Sequence, residues 1–150
     1  MTRRPRDSQQ SRVYTAEREA YGTTLHQGTM SHQAVVDLVR DLTEEVNGPV
    51  VRARHRRSGN RSRGGRLKDG TPYIGLTPHD RNPMMVCHEL AHALVEDAEP
   101  RTHAWHGPQW CRVYLMLLEL ACGSNLVRVL EAAFDRNRVD HSSGLVEVAA

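Results

Sequence analysis

The sequence predicts an α+β fold, and three observations carry that expectation. A helical stripe occupies residues 31–46, apolar and basic residues alternate over 50–56, and from Asn82 onward the spacing is helical again. Helix first, short strands in the middle and helices last is the order of an α+β domain, not of repeating βαβ units. A chain of 150 residues suits one domain with a sizeable core. We expect residues 1–12 to be a flexible N-terminal tail, 13–138 the single domain and 139–150 a C-terminal tail.

Each element has its own signal. "VYTAEREAYG" (13–22) can begin a short helix. Ser31 can N-cap the next one, where Val35, Leu38, Val39, Leu42 and Val46 recur at helical spacing until Asn47-Gly48-Pro49 stops the run. In "PVVRARHRR", Val51, Ala53 and His55 alternate with Arg52, Arg54 and Arg56, as a half-buried strand requires. "SGNRSRGG" (58–65) reads as a turn or flexible loop. "RLKDGTPYIGL" (66–76) reads as two short strands around Asp69-Gly70, or as one strand centred on Tyr73–Leu76, giving a short antiparallel or mixed sheet. Asn82-Pro83 opens a helix that should end near Glu99-Pro100. Pro108 starts another, ended by Gly123; its interior "WCRVYLMLLELA" is apolar almost all round and is expected to be the central buried element. Ser124 can cap a last helix with Leu126, Leu130, Ala133 and Phe134 on one face.

Hydrophobic residues make up 39% and charged residues 25%, the balance of a soluble globular protein. The best apolar run, "VYLMLLELAC", is short and interrupted by Glu119, so no membrane partner is expected. The charged start lacks an apolar segment behind it, and three widely spaced cysteines form no disulfide framework, so a cytoplasmic setting is expected. The net charge of +2 conceals an asymmetry. Arg52 to Lys68 holds seven arginines, one lysine and no acid, which leaves the rest of the chain at −6.

"VCHELAHAL" (86–94) carries the chemistry. His88 and His92 are four apart, so on a helix both project from one face and can take neighbouring corners of a zinc tetrahedron. Glu89 lies beside them, where a carboxylate can act as general base toward metal-activated water. With nine histidines in the chain, a chance match to H-E-x-x-H occurs at roughly a few per cent. Against chance, the motif falls on an independently expected helix, with Met85, Leu90 and Leu94 to pack its other side. A third ligand is also on offer. The metzincin pattern is excluded, since Val95 and Ala98 stand where it needs Gly and His. Glu96, Asp97 and Glu99 follow on or near the same helix. His106, fixed by the Gly107-Pro108 helix start, is favoured, then Glu119 in the later helix, then His103.

"HELAHAL" followed by "HGPQWC" resembles the SprT-like (Spartan-like) zinc metalloproteases, whose pattern is H-E-x-x-H and, further on, His-Gly-Pro-Glu-Phe or close variants. The match covers about Met84 to Met116. "SRVYTAE" near the start further resembles a small group of actinobacterial and actinophage metallohydrolases carrying this motif. The resemblance implies a zincin-like fold, one catalytic Zn2+ held by His88, His92 and His106, Glu89 as catalytic base, and DNA-associated proteins as substrates. Gln109 and Trp110 replace the usual Glu-Phe. The C-terminal Cys-x-x-Cys zinc ribbon of bacterial SprT proteins is missing, because Cys111 and Cys122 are too far apart to form that pair.

The expected function is thus a zinc metallopeptidase acting on protein or peptide substrates. Its rivals are a zinc hydrolase of a non-peptide substrate and a nucleic-acid-binding accessory protein with a structural metal. Arg52, Arg54, Arg56, Arg57, Arg61 and Arg63 are the candidate DNA contacts, although aromatic residues for stacking are few around them. The strand at Tyr73–Leu76 is expected to be an edge that an extended peptide can join. Cys87, Cys111 and Cys122 are read as small buried residues, and Tyr114 as core.

Overall fold

The computed structural model describes residues 4, 6–95 and 104–141. Among them are five helices and one small mixed sheet: α1 (Gln10–Tyr21), α2 (His32–Glu45), β1 (Arg52–His55), β2 (Arg63–Arg66), β3 (Pro72–Leu76), α3 (Pro83–Val95), α4 (Pro108–Cys122) and α5 (Ser124–Arg136). Short 3₁₀ turns at Gly22–His26 and Pro78–Asp80 lead out of α1 and into α3. The α+β class is as the sequence indicates.

Local chemistry explains most boundaries. The Ser31 hydroxyl accepts from the Ala34 N–H at 3.1 Å and starts α2, whose Val35, Val39 and Leu42 are buried. Asn82 caps α3 by accepting from the Met85 N–H at 2.9 Å, while its own amide donates to the Leu25 carbonyl at 3.0 Å. Pro83 then occupies the first turn, where no N–H is needed. Gly107 and Pro108 start α4 in the same way, and Gly123, at φ 90°, ends it. Ser124 does not cap α5; its hydroxyl donates instead to Glu119 at 2.9 Å.

The sheet order is β1-β3-β2, with β1 parallel and β2 antiparallel to β3. Tyr73–Leu76 is therefore the central strand, and the edges belong to β1 and β2. The stretch read as a loop includes the start of β2, a pairing local propensity argues against because two of its four residues are glycines. Tertiary packing requires them. A Cβ on Gly64 would stand 1.8 Å from the Glu89 carbonyl oxygen, so only glycine lets β2 lie against α3. Asp69 and Gly70 turn the chain between β2 and β3, as expected.

The central buried element is α3, not α4. It lies between the sheet and α4, and Met85 to Leu94 are all buried, whereas α4 leaves Arg112, Glu119 and Leu120 exposed. An apolar composition says how much of a helix is buried but not which helix is covered on every side. His55, expected to face inward with Val51 and Ala53, is exposed and bonded through its ring to Arg81. Cys87 and Cys111 are buried, Cys122 is half-buried, and all three are free thiols. Tyr114 is fully buried.

The chain stays packed beyond both boundaries expected for the domain. Helix α1 begins at Gln10, and Gln9 is buried. The Gln9 amide donates to the carbonyls of His106 at 2.8 Å and Asp140 at 3.0 Å, and its oxygen accepts from the Asp140 N–H at 2.8 Å. Val139 is likewise buried. The expected end of α3 near Glu99-Pro100 lies outside the described residues. No helix among the described residues is long and apolar enough to cross a membrane.

Candidate metal centre

Helix α3 presents His88 and His92 one turn apart, and the Gly107-Pro108 start of α4 turns His106 back toward them. One ligand atom from each of the three buried rings lies within 4.8 Å of the others, so this group could hold a metal ion. The Nε2 atoms of His88 and His106 stand 3.4 Å apart. Their Nδ1 atoms are already committed: His88 donates to Glu17 at 2.5 Å and His106 to Asp7 at 2.7 Å. Those bonds fix ring orientation and tautomer and leave both Nε2 atoms free, the arrangement of carboxylate-oriented histidine ligands. Imidazoles converging from three positions, once His88 yields its Nε2 proton, are a fitting donor set for a transition metal.

An aromatic shell holds the rings. Trp110 stacks on His92, with centroids 5.1 Å apart and planes at 25°, and its indole N–H donates to the His88 carbonyl at 3.4 Å. Tyr14 lies over His88 at 6.1 Å and edge-on to His106 at 5.2 Å. Trp105 meets His92 from the outer side, with the Arg4 guanidinium 3.9 Å above its ring.

Glu89 is 6% exposed and reaches the same cleft. The Gly64 backbone N–H lies on the side of its carboxylate and favours the charged form. Burial, with Glu17 and Asp80 adding repulsion, pushes its pKa up to about 7 against the pull of the His88 charge and the Gly64 N–H. For His88, burial opposes the charge, but Glu17 prevails and raises its pKa to about 9. His92 is pushed well below its ordinary value by burial and by the charges of His88 and His106. Burial and His88 likewise lower His106, against the pull of Asp7.

The cleft is about 520 Å³ and is bounded by the histidines and Glu89 on one side and by Arg61, Arg63, Gly64, Gly65 and Tyr73 on the other. A further hollow of about 380 Å³ continues past His88 and Glu89 toward His26 and Asp80. The two hollows adjoin, sharing Tyr14, Arg61, Ser62, His88 and Glu89 as lining. Asp80 fixes the rim, accepting from His26 at 2.9 Å and from Ser62 at 2.6 Å.

The structure brings His88, His92, His106 and Glu89 together. Glu119 is exposed, far along α4, and occupied by Ser124, so it is no ligand. Glu96, Asp97, Glu99 and His103 lie outside the described residues. Of the arginines, Arg61 and Arg63 line the cleft, while Arg54, Arg56 and Arg57 line a separate concavity of about 300 Å³. Arg52 is exposed at the start of β1.

Sequence reasoning missed Glu17, Asp7 and Gly64. Glu17 left a readable trace, because it shares α1's buried face with Val13, Ala16 and Tyr21, and a lone carboxylate on an apolar stripe asks for a partner. Asp7 left none. Comparisons with protein-family models, curated proteins and solved structures return no match.

Proposed function

We propose that this protein is a zinc-dependent metallopeptidase with a zincin-like site, in which His88, His92 and His106 hold the metal and Glu89 is the general base. One observation carries the reading: a buried carboxylate stands beside three converging imidazoles and lines two adjoining hollows. Imidazole donors favour zinc. Zinc held there would supply Lewis acidity and bring the pKa of a water to about 7.

The chain's own residues supply the rest. Glu89 orients the water, takes its proton and returns it to the leaving amine. Tyr14, which lines both hollows and carries a hydroxyl, stands ready to donate to a developing oxyanion. Edge strand β2 offers backbone groups to an extended peptide, with Gly64 and Gly65 lining the cleft so that the chain can come close. Two adjoining hollows beside the reacting groups suit a polymer better than a small molecule.

The test combines native mass spectrometry with casein and peptide cleavage. Wild type should carry one zinc per chain and cleave. His106→Ala should lose the metal. Glu89→Gln should keep it while cleavage falls by about 10²–10⁴-fold. Undiminished cleavage by Glu89→Gln sinks the mechanism.

A further inference from the structure

We infer that the cleft selects acidic polypeptide segments and grips them where it wraps around the edge of β2 onto the outer face of the sheet. The inference rests on the peptidase reading for its substrate and on charge and register for its specificity.

Register places the side chains. Arg52, Tyr73 and Gly65 form one cross-strand row, and Arg54, Gly75 and Arg63 the next, all on one face. The opposite face carries Ile74 and Leu76, both buried, and Gly64 packed on α3. The outer face therefore bears arginines on both flanks, with Tyr73 and two glycines between them. Gly75 keeps the middle low: a Cβ there would stand 2.8 Å from Cδ of Arg56, whose stem lies across it.

Two concavities meet on this face. Tyr73 lines the metal cleft and also the hollow formed by Arg54, Arg56, Arg57 and Asn60. An extended chain leaving Glu89 over β2 thus passes Arg63 and Tyr73 and arrives among three arginines. Among the described residues no carboxylate lines the second hollow. Among them the first is lined by Asp7, committed to His106, and by Glu89 itself. Arg54, Arg57, Arg61 and Arg63 are exposed, and none forms an ion pair among the described residues. Asp69 feels the charge of Arg52, which leaves that arginine outside the core of the track. The rest of the chain carries net negative charge, so an acidic ligand is repelled elsewhere and focused here.

Polypeptide is favoured over nucleic acid on two grounds. Tyr73 is the lone aromatic on the face, whereas single-stranded nucleic acids are held by series of stacking rings. The cleft from which the track leaves is also bounded by edge strand β2, whose unpaired backbone groups can pair with one peptide segment before the chain turns over the sheet.

The experiment is fluorescence anisotropy on the full chain, with short labelled peptides that are Asp/Glu-rich, neutral or Lys-rich, and with a single-stranded oligonucleotide of equal charge. Cleavage of the same peptides is followed in parallel. The acidic peptide should bind at least roughly tenfold tighter than the neutral one, with the advantage shrinking as salt is raised. Arg54→Ala/Arg57→Ala and Arg61→Ala/Arg63→Ala should each reduce that advantage several-fold. Arg54→Glu/Arg57→Glu should turn the preference toward the Lys-rich peptide, a gain that a misfolded variant cannot produce. Equal binding of acidic and neutral peptides overturns the inference. Tighter binding of the oligonucleotide also overturns it, in favour of a nucleic-acid surface. Acidic peptides bound but never cut would support the track and defeat the peptidase reading. Peptides cut without acidic preference would do the reverse.

Discussion

The two walls of the cleft are built on opposite principles. The helical wall, from α1, α3 and α4, is buried: His88, His92, His106 and Glu17 are all under a tenth exposed, and two of the rings are bonded to carboxylates. The strand wall, Arg61-Ser62-Arg63-Gly64-Gly65-Arg66, sets two glycines and a serine among exposed or half-exposed arginines. In a dry, low-dielectric wall each hydrogen bond is strengthened and each ring is held in one orientation, which a metal ligand needs. A wet wall of long flexible cations holds nothing rigidly but can meet a ligand from several directions. Chemistry is placed where motion is least, and recognition where adaptation is cheapest.

Substitutions on either wall can break or sharpen that contrast. The largest effect is expected where the walls touch. Gly64→Ala forces a Cβ against the Glu89 carbonyl, so β2 must back away from α3. Stability should fall by about 1–3 kcal/mol, and cleavage by about 10²-fold as Glu89 moves with its displaced backbone. Wild-type melting and turnover in this variant would show that the contact is not needed.

Next come the two carboxylates. Glu17→Gln should weaken metal binding by about 10–100-fold in a chelator competition. Asp7→Asn, at a more accessible pair, should cost less. Unchanged affinity in Glu17→Gln would mean the helical wall does not orient its ligands through these bonds.

A pH dependence follows from the same pair. With its metal chelated, the folded protein holds the His88 proton more tightly than the unfolded chain does, at about 9 against 6.5. That contribution to stability is complete below about 6.5 and is lost as pH rises through about 9. The melting temperature of the chelated wild type should fall across this window, and that of Glu17→Gln should fall less. Parallel curves would remove Glu17 as the cause. The smallest effect belongs to the strand wall. Arg61→Ala and Arg63→Ala should leave stability within about 0.5 kcal/mol of wild type by thermal melting. A larger loss would mean that this wall, too, is structural.

The parts of this site that follow from local pattern were legible. Helix α2 declared itself through Ser31 and its apolar spacing, and α3 and α4 through prolines in their first turns. The pairing of His88 with His92 needs only helical geometry. His106 could be favoured because Gly107 and Pro108 restrict the chain beside it. What escaped depends on contacts between distant positions. Glu17 meets His88 across 71 positions and Asp7 meets His106 across 99, and no periodicity encodes such a meeting. Arg63-Gly64-Gly65 looked like a loop because glycine disfavours strands, and the requirement that reverses this, room for the Glu89 backbone, exists only once α3 is in place. The same reason misplaced the edge of the sheet, since strand order is a property of the assembled layers.

Gln9 has a consequence for the order in which the molecule is made. It binds the carbonyl of the third histidine and also both backbone groups of Asp140, spanning 97 and 131 positions. During synthesis the HELAHAL helix, the sheet and α1 leave the ribosome well before Asp140 does. A nascent chain stalled before α5 therefore carries the HELAHAL helix before Asp140 can steady Gln9 and, through it, the His106 backbone. The candidate site gains this support only once α5 has been made.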